Sequence, residues 1–129
     1  MPPPPKFDLK RLVSVDVSAQ SQLQWGVDQD SIQISKSDSV VRYVIVARSS
    51  SGVINAMYEG LRCSKGEVIT YARHNPDSGW VMVTQPEWRP YRQSGLARHS
   101  WQAAKQGLCD GAAPPTTAQD AIRKLRNPQ

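Results

Sequence analysis

The sequence predicts an α+β fold: a twisted antiparallel β-sheet meander of six or seven strands, one packed helix and a short C-terminal helix. Three observations predict it. From Leu12 to Val83 apolar and polar residues alternate in short runs cut by Ser, Gly, Asn and Pro turns. The run Val40–Arg48 is apolar on both faces in its middle, as a central strand covered on both sides must be. After Ser94 the apolar period changes from two to nearly four residues.

The elements follow in order. Leu12–Val17 is a short β-branched run. Gln22–Val27 alternates, with Trp25 and Val27 on one side, and Ser31–Ser35 places Ile32 and Ile34 together. Ser37-Asp38-Ser39 turns the chain. Val41, Tyr43, Ile45 and Ala47 then share one face of a long strand, and Arg42, Val44, Val46 and Arg48 the other. Ser49–Gly52 is a hairpin turn. Val53–Cys63 returns, with Ile54, Ala56 and Tyr58 opposed to Val53, Met57, Leu61 and Cys63. Beyond the Ser64-Lys65-Gly66 turn, Val68, Thr70 and Ala72 alternate with Ile69, Tyr71 and Arg73. Asn75–Gly79 is a turn by composition, and Trp80–Val83 the next strand.

Pro86 and Pro90 interrupt the pattern, and a helix follows. Ala97, Trp101, Ala104 and Leu108 fall within about 60° of one another at 3.6 residues per turn. Gly107 is a natural stop. Thr117 caps a last helix whose apolar stripe is Ala118, Ala121, Ile122 and Leu125, with Arg123, Lys124 and Arg126 complementing the C-terminal dipole. The expected organisation is a proline-rich tether over residues 1–6, one α+β domain over 7–111, and a linker with the short helix over 112–129. No apolar run approaches the roughly 18 residues of a membrane helix.

Charge and composition bound the function without naming it. The net charge of +5 comes mainly from ten Arg against six Lys, a bias toward anionic partners. No phosphate-cradling glycine loop, nucleophile elbow or cofactor motif is present, so no cofactor is expected. Cys63 and Cys109 admit three readings: a disulfide, a metal pair or two inert thiols. Metal needs three or four ligands, and neither cysteine has a CxxC partner, so none is assigned.

Three clusters carry what chemistry there is. Tyr58 and Arg62 share a strand face while Glu59 points the other way, toward a cross-strand ion pair with Arg42 or Arg48. The chain has three Glu, and none forms an evident pair with an Asp for acid–base work. Trp88, Arg89, Pro90, Tyr91 and Arg92 interleave rings and cations, a mixture suited to single-stranded nucleic acid or an anionic glycan; the plainer expectation is Trp88 packed on the core with Arg89 and Arg92 solvated. His74 and His99 read as surface or cap histidines.

The runs VRYVIVARSSSGVINAMYEGLRC, YARHNPDSGWV and EWRPYRQSGLARHSWQAAKQGLC resemble the cryptic neisserial protein family, small exported proteins of beta-proteobacteria and relatives. The resemblance covers about Leu23 to Gly111, and its matching positions are Arg42, Tyr43, Tyr58, Glu59, Gly60, Arg62, Cys63, Trp88, Pro90 and Cys109. It implies a disulfide between Cys63 and Cys109 and a periplasmic, cell-surface or secreted location, although Met1 leads straight into Pro2–Pro5 with no signal peptide. It implies no activity.

The expected function is a non-enzymatic exported binding or scaffold domain whose partner is an envelope protein or an anionic surface component. Arg42, Tyr43, Tyr58, Glu59, Arg62, Trp88, Arg89, Tyr91, Arg92 and His99 are its candidate binding residues. One alternative is a small cell-wall hydrolase or transferase with Glu59 or His99 as base. Another is nucleic-acid binding through Trp88 to Arg98.

Overall fold

The computed structural model describes residues 4–17, 22–92 and 97–127; Pro2 and Pro3 of the expected tether, and residues 93–96, lie outside them. The alternating runs form one antiparallel sheet: β1 (Leu12–Val15), β2 (Gln24–Asp28), β3 (Gln33–Ile34), β4 (Val41–Arg48), β5 (Ile54–Arg62), β6 (Glu67–Asn75), β7 (Gly79–Met82) and β8 (Arg89–Pro90). The order across the sheet is β1-β2-β4-β5-β6-β7, with β3 prolonging the line of β2 along β4 and β8 pairing β6. β2 and β3 are separated because Asp28 caps a 3-10 turn over Gln29–Ser31, which breaks the expected Ser31–Ser35 run yet leaves Ile32 and Ile34 packed in one cluster.

Turn chemistry sets the register. Gly52, Gly66 and Gly79 have φ of 89°, 64° and 69°, a region costly for a side chain, and each sits where a hairpin reverses. The Asn75 carboxamide accepts from the amides of Asp77 and Ser78, closing the β6–β7 turn.

The two faces of β4 divide as the alternation requires. Val41, Tyr43 and Ile45 enter one cluster with Leu61, Cys63 and Val68. Val44 and Val46 enter a second with Ala56, Tyr58, Ile69, Tyr71 and Ala72. Strict alternation fails on β6. Tyr58 pairs with Ala72 and Glu59 with Thr70, so Tyr71 is an extra residue, and Tyr71 and Ala72 both join the second cluster. The bulge changes the phase of β6 and moves Ala72 to the face opposite Val68.

The first face is covered by helix α1 (Arg98–Ala103), a π-helical continuation (Ala104–Leu108) and α2 (Ala118–Arg126). The buried side of the first pair comprises Ala97, His99, Ser100, Ala103, Ala104, Gly107 and Leu108, rotated by roughly 70° from the expected stripe, with Trp101 at its margin. Gly107 leaves helical geometry as the run ends, with φ of 169°, and it also serves packing: a Cβ there would lie 2.9 Å from the Ala121 carbonyl oxygen and the Leu125 nitrogen. Ala121 and Leu125 of α2 are buried in the same cluster as α1. Cys63 and Cys109 form a disulfide with Cα atoms 5.7 Å apart, tying the end of β5 to the end of the helical run.

Candidate functional site

The titratable and nucleophilic side chains that converge do so between β5 and α1. Register decides which. Tyr43 of β4 lies directly opposite Glu59, whereas Arg42 lies opposite Gly60 and Arg48 opposite Ile54. Directly opposed residues share a face. Glu59 therefore turns toward Tyr43 and the helix, and the expected ion pair with Arg42 or Arg48 does not form. Arg42 instead pairs with Asp38 at 2.8 Å on the other face.

Glu59 is 1% exposed and fully engaged. Its Oε1 accepts from the Tyr43 hydroxyl at 2.7 Å and from the Ser100 hydroxyl at 2.9 Å, and its Oε2 lies 3.0 Å from His99 Nε2. Burial opposes ionisation of Glu59, but the charge and hydrogen bond of His99, with the hydrogen bonds from Tyr43 and Ser100, outweigh it and hold the carboxyl below its ordinary range. Burial, and then the Glu59 charge, push the Tyr43 phenol well above its ordinary value, so it stays a donor. His99 is buried rather than the expected surface or cap residue, since it carries the helix's polar contact to the sheet. Its ring stacks on Trp25, centroids 4.3 Å apart. Beside Glu59 on β6, the buried Thr70 hydroxyl has no hydrogen-bond partner among the described residues.

This cluster is closed. Ser100 is 1% and His99 7% exposed. The Ser100 proton points to Glu59 and not to His99, so the trio lacks the serine–histidine contact of Ser-His-Asp triads. General acid–base chemistry needs a substrate within hydrogen-bond reach. The grooves that the described residues line lie elsewhere. One of about 510 Å³ runs between β1 and α2 along Ser14, Gln106 and Arg126. Another of about 400 Å³ is lined by Lys65, Arg92 and Gly111, and a third of about 520 Å³ by Lys36, Pro115 and Thr117.

The other candidate residues divide between the sheet's two faces. Tyr58 and Tyr71 are in contact on the second face, where Arg42 lies over Tyr71 and Arg62 over Trp88, 4.0 Å from the ring centroid. Tyr91 is buried in the first cluster, Arg89 is half-buried in β8, and Arg92 is exposed. Trp88 and Tyr91 thus belong to opposite cores, and they form no shared stacking surface.

The residue pattern marked neither Ser100 as a partner of Glu59 nor Trp25 as a partner of His99. Phe7 was missed as well. The Phe7 ring meets His74 edge-on at 5.0 Å and Trp80 at 5.8 Å on the second face. The one available signal was an aromatic ring two residues beyond a proline run.

Among the described residues, no group of three or more metal-binding side chains gathers, and no helix is long and apolar enough to cross a membrane. Neither curated proteins nor solved structures include a match to this chain. A family model does match, over residues 1–126: the chain belongs to the CNP1-like family.

Proposed function

We propose that this member of the CNP1-like family is a non-enzymatic, exported binding or scaffold domain of the cell envelope. One observation carries the reading. Tyr43, Glu59, His99 and Ser100, the groups that would have to do chemistry, are buried and spent on one another. The surface offers grooves, exposed cations and sheet edges, which suit binding. The Cys63–Cys109 disulfide suits an oxidising compartment. The charge of +5 favours an acidic envelope protein or an anionic surface polymer as partner.

The test has two arms. Cell fractionation with thiol trapping is expected to place the protein outside the cytoplasm with both cysteines oxidised; a cytoplasmic, reduced protein would remove the export part. Incubation with peptidoglycan and model ester and glycoside substrates is expected to give no turnover. Turnover abolished by Glu59→Gln would establish a cell-wall enzyme instead.

A further inference from the structure

The chain's own leader shows what the second sheet face can hold. Pro4 and Pro5 are half-buried, Lys6 is exposed, and Phe7 packs into the second cluster. The Phe7 ring sits edge-on to both His74 of β6 and Trp80 of β7, which are themselves 5.2 Å apart. The next residue is read through its backbone. The Asp8 amide donates at 2.9 Å to Oδ2 of Asp28, a carboxylate only 2% exposed at the end of β2. Contacts two residues long thus connect β6 and β7 with β2, so the leader lies across this face. Helices α1 and α2 contribute nothing to the second cluster.

These are the parts of a peptide-recognition groove: an aromatic pair for a ring, and a buried acceptor for the following backbone N–H. A proline run approaches such a groove with little conformational entropy to lose. We infer that this face is a binding site for an extended, proline-rich segment with a single aromatic anchor on another protein, and that residues 4–8 occupy it in cis. The inference rests on the proposed binding role and names the partner's chemistry. A tethered leader acts at an effective concentration of about millimolar. A foreign segment therefore gains access when the leader is released, or when a second contact adds to its affinity.

The experiment uses a fluorescent peptide with the sequence of residues 1–8 and three proteins: the full chain, a chain lacking residues 1–8, and full-length Phe7→Ala. Fluorescence anisotropy is expected to show saturable binding to the shortened chain and to Phe7→Ala, at least about tenfold tighter than to the full chain. The same peptide with alanine for its phenylalanine should lose that binding. Phe7→Ala keeps the test decisive if the shortened chain fails to fold. No saturable binding to a folded Phe7→Ala protein, or equal binding of the alanine peptide, overturns the inference; neither result bears on the fractionation and turnover arms above. A concentration-dependent dimer of the full chain, lost in Phe7→Ala, overturns the foreign occupant in favour of the leader of a second copy.

Discussion

His99 lies flat on Trp25, the ring planes 1° from parallel, while its Nε2 reaches the buried carboxylate of Glu59. Cys63, four residues further along the same chain segment, bonds to Cys109 at the other end of the helical run. One strand thus fastens the overlying helix at both ends, one tie polar and the other covalent. The polar tie is costly to break one-sidedly. Glu59→Ala would leave the Tyr43, Ser100 and His99 groups buried without their acceptor, and losing one partner of such a network typically costs about 3–5 kcal/mol. Urea denaturation should show that loss. A loss below about 1 kcal/mol would mean that water reaches the cluster and that it is less closed than its burial indicates.

Acid should act through the same carboxylate. Its folded-state ionisation lies below the ordinary range, because His99, Tyr43 and Ser100 together outweigh burial. A group depressed in the folded state contributes stability that is complete above its unfolded pKa, near 4.3 for Glu, and is lost as pH falls through the folded value. Asp38 behaves alike: burial works against it, but Arg42, Ser35 and the Val40 amide hold it at about 2. Melting temperature should therefore be flat above about pH 5 and fall progressively toward about pH 2. In Glu59→Gln the fall should be shallower, with only Asp38 and other carboxylates contributing. An unchanged acid profile in that variant would contradict the ionised state assigned to Glu59.

The covalent tie has its own signature. Its partners are 46 residues apart, and the chain-entropy model values such a loop at about 4 kcal/mol. Reduction should lower the denaturation midpoint accordingly, and thiol counting on unreduced protein should find none free. Cys63→Ser with Cys109→Ser should match the reduced protein. A double variant as stable as the oxidised chain would show that the helix is held chiefly by the Glu59 cluster and by packing.

Much of this arrangement was legible in the residue pattern. The two-sided apolar middle of β4 announced a central strand, and Tyr43 and Val44 do face different cores. The site was not legible, for a physical reason. Whether Glu59 meets Arg42 or Tyr43 depends on which residue stands directly opposite it, a one-residue choice that alternation within a strand cannot make. His99 and Ser100 count as polar in any helical stripe, so the stripe drawn through Ala97, Trp101, Ala104 and Leu108 lies off-centre and leaves out the polar part of the buried side. Burial of polar groups becomes favourable only when their partners on another element are in place. The bulge at Tyr71 has the same character: nothing in VITYAR marks the extra residue.

Gly60 is a sharper case of a residue explained only by its neighbours. A Cβ on it would lie 2.8 Å from the Tyr71 hydroxyl and 2.9 Å from Val40 Cγ1. Both belong to buried side chains with little room to retreat. Gly60→Ala should destabilise by about 1–3 kcal/mol, the usual cost of overpacking, even though alanine is ordinarily better tolerated than glycine in a strand. Gly60→Ala with Tyr71→Phe should recover part of that loss, because the hydroxyl is the nearest obstacle. No recovery would place the strain at Val40.

The β1 edge offers the last prediction. The Gln106 carboxamide accepts from the Asp16 amide at 3.0 Å and donates to the Ser14 carbonyl at 2.7 Å and the Leu125 carbonyl at 2.9 Å. It occupies the ladder positions that another strand would use, and at the same time it holds the C-terminal turn of α2. Open edges invite pairing between chains. Gln106→Ala should therefore cost about 1–2 kcal/mol, since part of the lost bonding is regained from water, and should introduce concentration-dependent self-association. Denaturation curves and sedimentation velocity read the two effects separately. A destabilised variant that stays monomeric at high concentration would show that Gln106 serves only to hold α2 and does not guard the edge.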